Sequence, residues 1–124
     1  MTRAILAAIA LVCALANADA ATIRSKSGAT AQVAGQWAHK FQCLVNKIDA
    51  SGFHIKFMGG YRPGPCWSGG KHPCGMALDI CQLSRDVTCP GFPRAASTKF
   101  ALACGLFPGS LWKRNPDTGH FEVR

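Results

Sequence analysis

Apolar and polar positions divide the chain into one unbroken apolar run followed by a series of short periodic stretches. Ala4 to Ala16 is nearly all apolar behind the basic Arg3, and Ala18-Asp19-Ala20 offers a small-x-small cleavage step. Residues 1–20 therefore read as a secretory signal peptide, too short for a transmembrane span. Ala21 to Thr30 is polar and shows no period, so residues 21–30 are expected to form an extended lead-in. Val33, Trp37, Phe41, Leu44, Val45 and Ile48 then recur at spacings of four, four, three, one and three. This is one stripe of an amphipathic helix, with Gly52 just past its end where a positive φ is often needed. Phe53 to Met58 alternates weakly and predicts a strand running into Gly59-Gly60.

Pro73 and Gly75 argue against a helix through the next stretch, which places His72 on a loop. Beyond it Met76, Leu78 and Ile80 alternate with Ala77, Asp79 and Cys81, so a strand is expected with Asp79 on the same face as the small Ala77. The turn-rich stretch holding Asp86, Pro90, Gly91 and Pro93 predicts irregular structure. Ala95 to Cys104 suits a second helix, with Ala96, Phe100 and Ala103 on one face and Gly105 at its stop. Pro108-Gly109 turns the chain toward Leu111-Trp112. After Gly119, His120 and Glu122 face one way, and Phe121 and Val123 the other. The sum is a small α+β domain over residues 31–124. Its antiparallel sheet has strands near Ile55, Leu78, Leu111 and Phe121, is backed by two helices, and holds a cleft on one face.

Composition narrows the class. At 124 residues and 48% hydrophobic content the chain fits one globular domain. The formal charge is +8, and removal of Arg3 and Asp19 with the signal leaves it at +8. Such a balance attracts polyanions. Export and the lack of a basic run interleaved with aromatics argue against nucleic acid and for cell-wall polymers or free peptide carboxylates. A soluble monomer without stable membrane insertion is expected. Cys13 leaves with the signal, and six cysteines remain: Cys43, Cys66, Cys74, Cys81, Cys89 and Cys104. An even count in an exported chain of this length reads as a disulfide framework, with about 15 connectivities open. Cys66 and Cys74 bracket the loop carrying His72, so a bridge involving either would restrain that imidazole. Cys43 lies off the helix stripe, which favours a bridge to a neighbouring segment.

Candidate chemistry follows from the same pattern. His72, Asp79 and His120 supply two imidazoles and a carboxylate, and three protein ligands leave zinc a fourth position for water. Asp117, just before the last strand, can reach that water; Glu122, on the face of His120, competes for the role of base. Arg62, on a loop after Tyr61, is placed to bind a carboxylate or stabilise developing negative charge. Trp112 is either core or a wall of the cleft. His39 and His54 read as solvated surface.

The pattern His72-x-x-Gly75-x-Ala77-x-Asp79, followed by Asp117-x-x-His120-Phe121-Glu122, resembles the zinc D-alanyl-D-alanine carboxypeptidases and L-alanyl-D-glutamate endopeptidases, which cleave peptidoglycan stem peptides. The resemblance also takes in Gly60-Tyr61-Arg62 and the Gly105-Leu106-Phe107-Pro108-Gly109-Ser110-Leu111-Trp112 run, and so covers Val33 to Val123. It implies one zinc ion held by His72, Asp79 and His120, with Asp117 as base and Arg62 polarising the scissile carbonyl. Glu122 then orients an imidazole, and Tyr61, Ser68 and Trp112 lie around the substrate. Asp-x-x-His is similar to the endopeptidase branch, and no insertion closes one end of the groove, so internal cleavage is favoured over terminal trimming. One departure stands out: Gly70 occupies the position, two residues before the first histidine, where the family carries serine, and Ser68 lies two residues earlier. This keeps open a zinc-binding but non-catalytic cell-wall recognition module. A disulfide-stapled binding protein without metal is the third reading.

Overall fold

The structure, a computed structural model, describes residues 19–66, 70–84 and 87–124. Residues 1–18 of the signal expected over 1–20 and the candidate Ser68 lie outside the described residues, while Asp19 and Ala20, at the end of that signal, are described. The extended lead-in expected over residues 21–30 contains strand β1 (Ala20–Arg24), which pairs antiparallel with β2 (Thr30–Ala34). Gly28, at φ 93°, makes the turn between them. Ile23, Ala31 and Val33 point inward from this hairpin and are buried.

Helix α1 runs from Ala38 to Ala50 and buries Phe41, Leu44, Val45 and Ile48 completely, four positions at the three-and-four spacing of one helix face. Gly52 lies past its end at φ 92° as expected. Two residues of the predicted stripe are not helical. Val33 belongs to β2, and Trp37 ends a 3₁₀ turn over Gly35–Trp37. The break falls at Gly35, whose backbone N–H donates to the Asp19 carbonyl; a Cβ there would stand 2.7 Å from that oxygen. Val33 reaches the core from a strand, where an inward position every second residue happened to match the helical spacing.

The central sheet has four antiparallel strands in the order β3-β4-β8-β7: β3 is Met58–Gly59, β4 Ala77–Ile80, β7 Phe107–Pro108 and β8 His120–Glu122. Two expected strands are displaced. The stretch Phe53 to Met58 pairs only from Met58 onward; its Ile55 is buried, but the Ile55 carbonyl accepts the Ser27 hydroxyl instead of a ladder bond. The strand expected near Leu111 lies at Phe107–Pro108, and Gly109–Leu111 is a 3₁₀ turn that leaves Leu111 exposed. The stretch read as irregular contains a hairpin of β5 (Gln82–Ser84) and β6 (Val87–Thr88). Cys81 turns the chain from β4 into it at φ 56°, a left-handed conformation uncommon outside glycine. The Cys89 N–H to Cys81 carbonyl bond and the Cys81–Cys89 disulfide hold it there.

Helix α2 (Arg94–Ala103) buries Ser97 and Ala101 rather than the expected face of Ala96, Phe100 and Ala103. The rotation follows from its end, where Cys104 is bridged to Cys43 on α1 and draws the Ser97-Ala101-Cys104 side inward. The third disulfide joins Cys66 to Cys74. Three disulfides place the chain in an oxidising compartment. No helix among the described residues is long and apolar enough to cross a membrane. The architecture is α+β, antiparallel, with two helices and a disulfide framework.

Candidate metal centre

Sheet register builds the site. Asp79 on β4 lies directly opposite His120 on β8, and Ala77 opposite Glu122, so these four share a face while Leu78 and Phe121 fill the core on the other. On the outer side Asp79 faces Gly59 of β3. A small residue under Glu122 and none beside Asp79 leave the carboxylate accessible from the loop above. That loop brings in His72 on a 3₁₀ turn over His72–Cys74, stopped by Gly75 at φ 66°. Gly75 is irreplaceable on a second ground, since a Cβ there would stand 2.5 Å from the Ala34 nitrogen.

One ligand atom each from His72, Asp79 and His120 lies within 4.8 Å of the others, a group that can hold a metal ion. His72 Nε2 is 3.2 Å from Asp79 Oδ2, and His120 Nδ1 is 3.0 Å from Asp79 Oδ1. Zinc bonds of about 2.0–2.1 Å set two corners of a tetrahedron about 3.3 Å apart, so the spacing fits. The remaining nitrogens fit equally well. His72 Nδ1 donates to the Gly60 carbonyl at 2.9 Å, and His120 Nε2 donates to Glu122 Oε1 at 3.0 Å. Each outward bond fixes the tautomer that turns a lone pair toward Asp79. An imidazole lone pair facing a carboxylate oxygen repels it unless a cation or a proton stands between them.

Charge in the site follows the same geometry. Burial disfavours the ionised Asp79, but hydrogen bonds from His120 and His72, with their charge, outweigh it and hold the carboxyl well below the usual range. Burial likewise disfavours charged His120, yet the bond to Asp79 and the contact with Glu122 win and raise its pKa. Glu122 accepts in turn from Arg124 Nε at 3.1 Å, and the Arg124 guanidinium lies 3.6 Å from the Phe107 ring centroid.

Arg62 is at the site, bonded through Nη2 to Asp79 Oδ2 and 3.4 Å from His72 Nε2. Trp112 forms a wall: its ring is 4.9 Å from that of His120 and tilted by 43°. Tyr61 is exposed and lines a neighbouring cavity whose walls include none of the three ligands. Asp117 is buried beside the sheet, its Oδ2 accepting from Gln82 Nε2 at 2.9 Å, and it is not among the three converging ligands. Its backbone fixes the turn into β8: the Asp117 N–H donates to the Gly109 carbonyl, and its carbonyl accepts from the His120 N–H. Gly109 permits this approach, because a Cβ there would meet the Asp117 carbonyl at 2.6 Å. His39 and His54 are exposed as expected.

Sequence reasoning missed three contributors. Gly60 acts through its carbonyl, and its signal was the absence of a side chain: a Cβ would stand 2.0 Å from the Gln32 carbonyl oxygen. Arg124, two residues after Glu122, was legible from strand alternation. Gln82 gave no signal, since its partner lies 35 residues away. Compared with known protein families, characterised proteins and solved structures, the chain matches none.

Proposed function

We propose that the chain is an exported zinc peptidase acting on peptidoglycan stem peptides, as a D,D-carboxypeptidase or an endopeptidase, with internal cleavage favoured. The observation that carries this reading is the arrangement of two imidazoles around one carboxylate, each with its outer nitrogen tied down and its inner nitrogen turned to Asp79. A structural zinc site closes with a fourth protein ligand, whereas this group offers three. Zinc bound by His72, Asp79 and His120 would lower the pKa of a coordinated water toward about 7 and polarise a carbonyl. Asp117, held by Gln82 through Oδ2, keeps Oδ1 to take a proton from the attacking water and return it to the leaving nitrogen. Arg62 brings a half-exposed positive charge to the side where negative charge develops on the scissile carbonyl. Trp112 excludes water from one flank of the cleft. Glu122, bridged to Arg124, keeps His120 in its ligating tautomer.

Zinc analysis of protein purified without a histidine tag tests the metal, and digestion of purified sacculi with product masses tests the reaction. Shortened stem peptides are expected. Free D-alanine or its dipeptide as the sole product would assign the carboxypeptidase branch, and intact stem peptides with zinc bound would overturn the peptidase. The second reading is a zinc-binding, non-catalytic wall-recognition module. It draws on Gly70 in the serine position and on the commitment of Arg62 to Asp79. It requires the last of those outcomes.

A further inference from the structure

Behind the turn that carries His72, on the side away from the three ligands, lies a cavity of about 240 Å³. Its walls include Gln32, Gln36, Tyr61 and Pro73, which the exported chain keeps, and one edge is closed by Asp19 and Ala20, which the expected signal cleavage removes. It exists because strand β2 is laid close across two glycines: the Tyr61 N–H donates to the Gln32 carbonyl next to Gly60, and the Ala34 N–H donates to the Gly75 carbonyl. The same two glycines support the His72 loop, so cavity and metal centre share a wall without sharing a residue.

The chemistry of the lining selects its ligand. In a chain with fourteen Lys and Arg against six Asp and Glu, the lining holds no cation, which disfavours a carboxylate or phosphate. The polar side chains that stay after signal cleavage are two primary amides and a phenol, and the amides of Gln32 and Gln36 are exposed and bonded to no other side chain among the described residues. Tyr61 is 54% exposed, the most exposed large hydrophobic residue described. An exposed aromatic face beside unpaired amides suits a ligand with an apolar C–H face and a rim of neutral hydrogen-bonding groups. A pyranose ring has that form: its axial C–H bonds rest on the negative ring face while hydroxyl and acetamido groups meet the amides.

We propose that this cavity is a saccharide subsite that takes one neutral N-acetylated sugar residue, stacked on Tyr61 and hydrogen-bonded by Gln32 and Gln36. On the peptidase reading it would hold the glycan while the metal centre faces the attached peptide, but binding itself does not depend on catalysis. The test is a titration of the isotopically labelled, chelator-treated protein with N-acetylglucosamine trimer, followed by amide NMR, with a neutral acetylated alanine tripeptide as comparator. Saturable shifts at Gln32, Ala34, Tyr61 and Gly75 with the sugar are expected. Tyr61→Ala should weaken binding by about tenfold, on the scale of one aromatic contact. Gln36→Ala, an exposed position, should weaken it with the rest of the spectrum unchanged. Shifts with the tripeptide but not the sugar, sugar shifts that survive both substitutions, or no saturable shift at all would each overturn the proposal. Sacculus digestion reports separately: sugar binding with intact stem peptides would remove the peptidase alone, and digestion without sugar binding would remove the subsite alone.

Discussion

His120 is the residue on which most of the site depends, because it bonds two carboxylates at once, Asp79 through Nδ1 and Glu122 through Nε2. His120→Ala removes one of three ligands, and His72→Ala another. Either variant should lose zinc in elemental analysis, and full retention in either would dissolve the centre. If the proposed peptidase reading holds, Asp117→Asn should keep the metal and lose about 10²–10⁴ in rate, since an amide cannot accept the proton. Unchanged turnover would transfer the base to Glu122. In metal-free protein the two perturbed groups act in opposite pH windows. Asp79, depressed on folding, contributes stability above its unfolded pKa of about 3.9 that is lost as pH falls through the lower folded value. His120, raised on folding, contributes stability below about 6.5 that is lost as pH rises through the higher folded value. Melting in chelator should therefore give a Tm that declines from pH 6 to pH 9, and a flat or rising profile would contradict the contacts of His120. The three ligands were legible because histidine and aspartate carry their chemistry in the residue type. Gly60 and Gln82 were not, since a backbone carbonyl has no type and an amide acquires a role only from what folding brings beside it.

Strand β4 and the turn before it show how elements turn spacing into a site. Alternation along β4 and β8 placed Asp79, His120 and Glu122 on one face, and the register confirms it, because period two survives any error in where a strand begins. The helix start at Val33 and the strand near Leu111 were not legible. Both coincide with close backbone approaches, Gly35 to Asp19 and Gly109 to Asp117, which side-chain periodicity does not register. The turn over His72–Cys74 is braced on one side by Gly75 against Ala34 and on the other by the Cys66–Cys74 disulfide. Replacing both cysteines by serine should leave the fold, which is clamped elsewhere by Cys43–Cys104, and lower zinc affinity by letting the His72 loop sample other positions. Unchanged affinity in a competition titration would assign that bridge to stability alone.

Across the whole molecule, the formal charge of +8 understates how basic the surface is. Asp79, Asp117 and Glu122 are turned inward onto partners, whereas Lys113, Arg114 and Arg62 are exposed. On the proposed cell-wall function, attachment to an anionic wall polymer should weaken steeply as salt rises from about 50 to 500 mM, and binding indifferent to salt would rule out a role for this charge. The disulfides also carry an order of events. Two of them join cysteines eight residues apart and flank His72 and Asp79, while the third spans 61 residues and ties the helices. Loop-closure entropy favours the short pairs by about 1.8 kcal/mol, or roughly twentyfold in effective concentration. During oxidative maturation the loop bearing His72 and the hairpin that follows Asp79 would be stapled while the helices are still untethered. A chain emerging into an oxidising space would thus set the framework around its metal centre first, and lock the body of the domain around it afterwards.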